Sequence, residues 1–494
     1  MSPRIPVSSL RVRGMASDSY DGIVIGTGPG GSTLTYALAR RGAKVLVVER
    51  GDFLRPLPNP NPVGIFIREH RTGTKQWPVV GGDSKYYGAA LYRLREADFR
   101  ATQLERGESP GWPISYSDLE PYYTQAERLY GVRGASEGDP SEPPRSTPYP
   151  FPPIPHQGVV AEIAERIRSQ GVAVAHIPKG LDYGPGGRCV LCSTCDGYYC
   201  QLDAKMDAEV AALRPALKFP NVELVTKTEC VRVLTSPDGK RATGVVLRQG
   251  FEERVVRARF VAVCGGVSAS PLLLRRSESS AHPEGLGNAT GCLGRYLTAH
   301  STGFLFPVLG RNVIPPLHTK TLAINAYYSS SPGWAFPTGV IQLAGQVPLG
   351  ASLPRVVRPF FRVLLARSAW VFHMTEALGT KETGMTFNAA GAVAKITPPQ
   401  RNPKTVRRLR RLAIQIFRCA GYRVVAPPVS EFWHPGGTAR MGSDPSSSVV
   451  DAGCQVHGVA GLYVVDSSTL PSVGAVNTTL TVVALALRVG EHLV

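Results

Sequence analysis

A histidine and an asparagine near the C-terminal end of the chain are the residues best suited to chemistry. His434 lies in Trp433-His434-Pro435-Gly436-Gly437, and Asn477 begins Asn477-Thr478-Thr479-Leu480-Thr481. An imidazole can take a hydroxyl proton near neutral pH. An amide can hold a substrate oxygen without competing for that proton. A lone histidine is more often a buried residue hydrogen-bonded to the backbone, so its interpretation depends on the other motifs in the chain.

A glycine-rich turn near the other end of the chain predicts a dinucleotide site. Gly26-Thr27-Gly28-Pro29-Gly30-Gly31 follows the apolar residues 23–25 and precedes a predicted helix, and residues 45–48 form the next strand. Such glycines permit a tight turn and let the backbone approach a pyrophosphate at the helix N-terminus. Glu49 ends the second strand, where a carboxylate accepts from ribose hydroxyls and disfavours a 2′-phosphate. The fingerprint does not separate FAD from NAD.

Apolar periodicity predicts the elements that must position these residues. Residues 222–225, 231–234 and 245–247 are predicted strands of a meander, and residues 260–264 form a buried strand before a helix. Residues 462–466 predict a strand that ends in the carboxylate of Asp466. Asn477 and Thr478 then predict a helix start with N-capping side chains, and the N-terminus of such a helix stabilises negative charge nearby. The proline-rich residues 139–155 predict a linker or surface strap.

Composition excludes several classes of protein. A chain of 494 residues with 43% hydrophobic and 19% charged residues is typical of a folded protein with two domains. No apolar run reaches the length of about 20 residues that a membrane helix needs. The net charge of +18 is scattered, and the basic cluster at residues 404–411 alternates with apolar residues as in an amphipathic helix. Residues 1–20 have no apolar stretch of a secretory signal, so we expect a cytoplasmic protein without a nucleic-acid partner.

Several motifs in this order resemble the glucose–methanol–choline (GMC) oxidoreductases. The matching segments are the glycine turn with Glu49, Val80-Gly81-Gly82-Asp83-Ser84, Gly111-Trp112-Pro113-Ile114-Ser115-Tyr116, Leu293-Gly294-Arg295-Tyr296-Leu297, and the segments of His434 and Asn477. The resemblance implies FAD-dependent oxidation of an alcohol to a carbonyl by hydride transfer to flavin N5. It implies His434 as the catalytic base and Asn477 as the residue that orients the substrate oxygen.

The resemblance also implies an α/β fold. A Rossmann-type FAD-binding domain is assembled from both termini, and an α+β substrate domain contains an antiparallel sheet. The expected boundaries are 20–150 for the N-terminal part of the FAD domain with a flavin-contacting loop at 78–92, 151–185 for a substrate-domain segment or linker, 186–300 for the middle part of the FAD domain, 301–430 for the substrate domain, and 431–494 for the C-terminal part of the FAD domain.

FAD is expected to contact residues from several of these motifs and from two of the predicted strands. They are Gly26, Thr27, Gly28, Gly30, Gly31, Glu49, Arg50, Gly81, Gly82, Asp83, Ser84, Val231, Asp466, Ser467, Thr478 and Thr479. Some family members attach the flavin covalently through a histidine shortly after the Gly-Gly pair. Tyr86 stands at that place, so we expect non-covalent FAD. Thr478 stands where the family often has proline.

Four cysteines form the pattern Cys189-x2-Cys192-x2-Cys195-x4-Cys200. Iron–sulfur clusters and four-cysteine zinc sites use close spacings of this kind. A disulfide or redox pair is a further alternative. We favour free or packed thiols and no metal, because the flavin and His434 account for the expected chemistry without a one-electron step.

The residues expected to face the substrate lie in the second domain. The resemblance places a strand near the flavin within residues 371–387, and His373 and Glu376 are weak candidates there. The expected substrate is a sugar, aminosugar or polyol, with an aminoglycoside intermediate as one option and O2 or another molecule as electron acceptor. Two alternatives to this function are considered. One is a flavoprotein electron-transfer subunit with an iron–sulfur cluster at residues 189–200, and the other is a basic nucleotide-fold protein that binds a polyanion. The oligomeric state is left open.

Overall fold

The computed structural model describes residues 17–54, 78–192, 195–310, 319–345, 363–364, 366–428 and 430–493. In chain order its strands are β1 Ser19–Ile25, β2 Val45–Val48, β3 Thr102–Leu104, β4 Gly107–Ser109, β5 Val132–Arg133, β6 Ala175–His176, β7 Lys179–Gly180, β8 Val222–Val225, β9 Glu229–Thr235, β10 Ala242–Gln249, β11 Glu252–Val263, β12 Thr298–Val308, β13 Leu322–Ile324, β14 Val340–Leu343, β15 Val371–Ala377, β16 Gly384–Phe387, β17 Val393–Thr397, β18 Arg423–Val425, β19 Ser430–Gly436 and β20 Leu462–Val464.

The helices lie between these strands in the usual manner of an α/β protein. In chain order they are α1 Pro29–Arg40, α2 Tyr116–Leu129, α3 Val159–Arg168, α4 Arg214–Ala216, α5 Gly266–Arg276, α6 Pro403–Cys419 and α7 Thr479–His492. None of the helices in the described ranges combines the length and the apolar character that crossing a bilayer requires. Residues 1–14 lie outside the described residues.

The first sheet carries the predicted nucleotide motif. Its strand order is β8–β2–β1–β11–β10–β9, and β20 pairs with the C-terminal half of β11. Strands β8, β2, β1, β11 and β20 are parallel, whereas β9, β10 and the first half of β11 form an antiparallel meander. The carboxyl ends of the parallel strands therefore meet at one edge of the sheet. Gly26, Glu49, Gly265 and Asp466 follow these strand ends, which is where nucleotides bind in such folds.

The second sheet is antiparallel, as the resemblance implied. Its order is β18–β12–β15–β14–β13–β6, and β19 also pairs with β12. One face packs on α3 and α6, and Leu305, Val371 and Leu409 lie in that core. Phe304, Phe372 and Met374 on the opposite face belong to the core shared with the first sheet. This second face is therefore the one that can meet a flavin.

Two sequence expectations about the sheets were wrong. Val222–Val225 is not in the meander but is the parallel edge strand beside β2. A run of four apolar residues fits either position, and only the pairing decides. Strand Ser430–Gly436 pairs with β12, so the second sheet extends past the boundary expected at residue 430. The amphipathic helix expected around residues 404–411 is α6, whose apolar stripe is buried against the second sheet.

The loop after Gly81-Gly82 is anchored by a buried ion pair. Lys85 lies 3.0 Å from Asp207 and 2.6 Å from Glu209, and all three side chains are at most 3% exposed. Burial alone would lower the pKa of Lys85, but the two carboxylates hold the pKa above its ordinary value. A charge removed from such a site leaves its partners buried and uncompensated.

Replacing Lys85 should therefore be strongly destabilising. Lys85→Met is expected to lower the free energy of unfolding by about 3–5 kcal/mol, measured by urea denaturation. Arg248→Met removes an exposed pair with Glu229 and serves as the control, because solvent screens exposed charges and the urea midpoint should hardly move. Equal losses in the two variants would contradict the assignment of Lys85 as an anchor.

Candidate active site

His434 is aimed by an irregularity in strand β19. Thr298 pairs with Gly436 and His300 pairs with Trp433, so β19 has one residue more than β12 over this stretch. His434 lies in the resulting bulge with φ of 53°, a left-handed conformation that is uncommon outside glycine. Bulges are used to redirect a side chain out of the regular alternation. Here the bulge turns the half-buried imidazole of His434 toward His300.

His300 determines which nitrogen of His434 carries a proton. Nε2 of His300 lies 3.2 Å from the carbonyl oxygen of Val473, and Nδ1 lies 2.9 Å from Nδ1 of His434. A carbonyl can only accept, so Nε2 of His300 donates. Burial lowers the pKa of His300 to about 4, so the ring is neutral at pH 7 and its Nδ1 accepts. His434 must then donate from Nδ1, which leaves the lone pair of a neutral His434 on Nε2.

That lone pair faces Asn477. The side-chain amide nitrogen of Asn477 lies 3.1 Å from Nε2 of His434. The amide oxygen of Asn477 accepts at 3.4 Å from Nε2 of Gln342, which fixes the orientation of the amide. Gln342 is fully buried in β14, and its Oε1 makes no hydrogen bond with the described residues. The site thus contains a base nitrogen, an amide donor and an unpartnered amide oxygen in one cluster.

The segment 472–477, which leads into Asn477, is held by residues from distant parts of the chain. Nε1 of Trp112 donates to Oγ of Ser472 at 2.8 Å, and Ser472 donates to the carbonyl oxygen of Asp98 at 3.3 Å. The hydroxyl of Tyr328 accepts at 3.1 Å from the backbone of Ala475. These contacts give the Trp112 motif a role: it positions the loop that carries Asn477.

The glycine turn has the geometry that a dinucleotide needs. Gly26 has φ of 100°, which permits the tight turn after β1. A Cβ added at Gly28 would meet nothing within 4 Å, so this backbone is open to a ligand. A Cβ at Gly30 would lie 1.9 Å from the carbonyl oxygen of Val465, so this glycine lets the C-terminal segment approach. Helix α1 begins at Pro29 without a side-chain cap or an acidic residue, which suits a phosphate.

Glu49 orders the turn and the second glycine loop together. Its carboxylate accepts from the backbone and hydroxyl of Thr27 at 3.1 and 2.6 Å and from the backbone of Gly51 at 2.8 Å. The hydroxyl oxygen of Thr27 also accepts from the backbone of Gly81 at 3.0 Å. Oγ of Ser84 donates to the carbonyl oxygen of Gly81 at 2.6 Å. These contacts bring together three of the motifs expected to bind FAD, and the residues present fit the cofactor.

The other expected FAD residues are distributed over several elements of the fold. Asp466 accepts from the backbone of Gly266 at 2.8 Å and from Ser468 at 2.7 Å, so its carboxylate caps two turns. Thr478 is the N-cap residue of α7 but makes no capping side-chain hydrogen bond, which corrects the expected cap. The remaining members of the set are Gly31 at the start of α1, Arg50 exposed after β2, Gly82 and Asp83 in the second glycine loop, Val231 in β9, Ser467 after Asp466, and Thr479 at the start of α7.

The two weak substrate candidates lie on opposite faces of β15. His373 is 1% exposed and packs against Gly303, and burial followed by the charge of Arg410 lowers its pKa to about 3. It lies on the face that meets α6, so the structure does not bring His373 to His434. Glu376 pairs across the strands with His300 and lies on the same face of the second sheet.

The cysteine loop packs against the loop that follows Gly82. Lys205 donates to the carbonyl oxygens of Tyr87, Cys195 and Tyr198 at 2.9, 3.1 and 2.6 Å. Cys195 is buried, and Cys189, Cys192 and Cys200 are half-buried. Burial raises the pKa of Cys189 to about 11 and that of Cys195 to about 12, so neither forms a thiolate readily. Within the described ranges, no three ligand-type side chains are grouped to hold a metal ion.

Sequence reasoning missed two residues of the cluster, His300 and Gln342. His300 follows the Leu293–Leu297 motif by three residues, and that proximity was the available signal. Gln342 is the single polar residue within the buried strand Val340–Leu343, where an apolar residue would otherwise be expected. A buried amide in such a strand indicates a partner across the sheet or a ligand.

Comparisons with known proteins agree with this architecture. Two family models, both described as GMC oxidoreductase, match residues 30–313 and 386–486. Paromamine 6′-oxidase of Streptomyces fradiae is 29% identical over 95% of this chain and 90% of that protein. The 6‴-hydroxyparomomycin C oxidase of Streptomyces lividus is 29% identical over 96% of this chain and 91% of that protein.

A solved structure supports the fold independently. Pyridoxine 4-oxidase from Mesorbium loti superposes with a TM-score of 0.66 at 19% identity, covering 96% of this chain and 98% of that one. The matched models, the glycine turn at the sheet edge and the two-sheet architecture lead to the same assignment. The chain therefore belongs to the GMC oxidoreductase family, and it is an FAD-dependent enzyme that oxidises CH–OH groups.

Proposed function

We propose that the protein oxidises an alcohol group of a sugar, aminosugar or polyol, with His434 as the base. The observation that carries this proposal is the hydrogen-bond pattern of His300, which leaves Nε2 of His434 with its lone pair facing Asn477. Bound FAD supplies the acceptor for the hydride that leaves the carbon. All other steps require only that the chain hold an oxygen and remove its proton.

The roles of the site residues follow from their donors and acceptors. Nε2 of His434 takes the hydroxyl proton of the substrate, and the hydrogen bond to His300 stabilises the imidazolium that forms. The amide of Asn477 donates to the substrate oxygen in place of its contact with His434. Oε1 of Gln342 is a buried acceptor without a partner among the described residues, so it is suited to a second hydroxyl or an ammonium group.

The substrate class rests on the relatives and on this polar cluster. Both proteins named above act, by their names, on aminoglycosides, and each is matched over nearly its full length. A polyhydroxylated substrate also suits a site with more than one amide. An aminoglycoside intermediate is therefore the first substrate class to screen, followed by simple sugars and polyols.

FAD is proposed to be held without a covalent bond. Tyr86 stands where a linking histidine occurs in some members of the family, and burial raises the pKa of its phenol to about 12. The uncapped start of α7 leaves backbone N–H groups available next to Asn477, where they would favour negative charge on the bound cofactor.

His434→Ala should retain FAD but lose substrate-driven flavin reduction. The expected loss is roughly 10²–10⁴-fold, the range for removal of a general base. The measurement is anaerobic stopped-flow bleaching of the flavin with the best substrate from the screen. His457→Ala removes a histidine bonded to Ser448 outside the cluster and is the matched control. If the flavin of the His434→Ala variant were reduced at the wild-type rate, His434 would not be the base.

Acid precipitation should release all of the flavin as FAD. The reason is that Tyr86 replaces the histidine through which some family members bind the flavin covalently. The measurement is the absorbance of supernatant and pellet, with chromatography to identify FAD. Yellow colour that stays in the pellet would show a covalent bond and would disprove the alignment of this loop.

Cys192→Ser should give folded, flavin-loaded enzyme whose flavin is reduced by substrate at the wild-type rate. The raised pKa values of the Cys189 and Cys195 thiols and the packing of the loop through Lys205 favour a structural role for this loop. Iron and zinc are measured in protein purified without oxygen, before and after the substitution. Near-stoichiometric iron that disappears together with activity would favour the alternative function, a flavoprotein that passes electrons through a cluster at residues 189–200.

A further inference from the structure

Three titratable side chains lie in a row across three adjacent strands. His434 on β19, His300 on β12 and Glu376 on β15 are neighbours, because β12 pairs with both of the other strands. His300 and Glu376 are directly opposite one another in the antiparallel register. Opposed residues project from the same face of a sheet. The row therefore leads from the proposed base to a carboxyl group that the reaction itself does not need.

The backbone of Val473 crosses this row and is bound from both sides. Oε1 of Glu376 accepts from the backbone N–H of Val473 at 3.2 Å. The carbonyl oxygen of the same residue accepts from Nε2 of His300 at 3.2 Å. Val473 is fully buried and precedes Asn477 by four residues. A shift of Val473 would therefore disturb both the tautomer of His300 and the position of Asn477.

Hydrogen bonds from neighbouring residues restrain both the carboxyl group and the backbone of Glu376. Oγ of Ser109 donates to Oε1 of Glu376 at 3.0 Å, and the side chain of Asn402 donates to the Glu376 carbonyl oxygen at 2.9 Å. These contacts come from β4 and from the residue before α6. A side chain restrained at both its carboxyl and its backbone is suited to hold a loop.

We propose that Glu376 is a positioning residue for the base: through the N–H and C=O groups of Val473 it holds His300, and through His300 it fixes the proton of His434 on Nδ1. This inference rests on the proposed role of His434. It reassigns Glu376, which the sequence analysis named as a weak candidate for a substrate contact, to a contact with the chain itself.

The charge state of Glu376 follows from the groups that face it. They are Asp98 and its neighbour Arg95 on the segment before β3, Arg100 and Glu105 around that hairpin, Tyr328 after β13, and the neutral His300 on β12. Burial and then the charge of Asp98 raise the pKa of Glu376 to about 8. Glu376 is therefore mostly neutral at pH 7, and a glutamine can replace it as an acceptor for Val473.

The test compares Glu376→Ala with Glu376→Gln in the FAD-loaded enzyme. Nitrogen NMR of ¹⁵N-histidine-labelled protein reports the tautomer of His434 without any substrate, with His434→Ala used for assignment. We expect the alanine variant to lose the single Nδ1–H tautomer and to reduce its flavin roughly 10- to 100-fold more slowly, as expected for a displaced catalytic group. The glutamine variant should keep both. Glu108→Gln, an exposed carboxylate on the same hairpin as Ser109, is the matched control and should change neither.

A pH series gives a second measurement that does not depend on the alanine variant folding. The folded-state pKa of Glu376 lies above its ordinary value, so the folded protein binds a proton that the unfolded chain releases between about pH 4.5 and 8. Wild-type stability therefore falls as the pH rises through this window, and Glu376→Gln lacks this loss. The thermal midpoint of the glutamine variant should rise relative to wild type from pH 5 to pH 8.

The outcomes that overturn the proposal are distinct from failure of the proposed function. An unchanged His434 tautomer in folded Glu376→Ala, or equal damage in the alanine and glutamine variants, would show that Glu376 does not position the base. A constant difference in thermal midpoint across the pH series would show that the Glu376 carboxyl group is not buried against Val473 as the proposal requires. If the enzyme oxidises none of the tested alcohols, the proposed function fails, but the NMR and pH measurements still test the role of Glu376.

Discussion

The hydrogen bond between Nδ1 of His300 and Nδ1 of His434 is the constraint on which the site depends. Two imidazoles can share such a bond only when one of them is a donor and the other an acceptor at these atoms. The buried position of His300, with its other nitrogen committed to Val473, decides that choice. The preference of His434 for one tautomer is thus a product of the surrounding fold.

The fold supplies this arrangement by bringing distant segments to one place. Strand β12 lies between β15 and β19, and a bulge in β19 turns His434 toward it. Trp112 and Tyr328 hold the loop before Asn477 from the other side. Gly294 donates its N–H to the carbonyl oxygen of Thr438 at 2.8 Å, so the Leu293–Leu297 motif fixes the segment that follows His434. The motifs that are scattered along the sequence therefore contact one another in the fold.

Much of this could be predicted from the sequence, because the informative features were local. The glycine turn, Glu49 and the segments of His434 and Asn477 each have a characteristic spacing, and the structure brings them together in two clusters. Strand pairing was not readable in the same way. The placement of Val222–Val225 and the opposite faces of His373 and Glu376 depend on register, which is set by contacts far away in the chain. His300 and Gln342 were missed because their roles arise only from neighbours on other strands.

The close contact between Gly30 and Val465 has a consequence for synthesis of the protein. Helix α1 packs on α7, and β20 completes the first sheet beside β11, so the nucleotide turn is finished by residues 462–493. A ribosome delivers those residues more than 400 positions after the turn itself has emerged. Until then the nascent chain carries half of a cofactor cradle and an open edge on β11. The contacts that complete the nucleotide turn can therefore form only after residues 462–493 have been made, and until then the C-terminal half of β11 is an unpaired edge open to another strand.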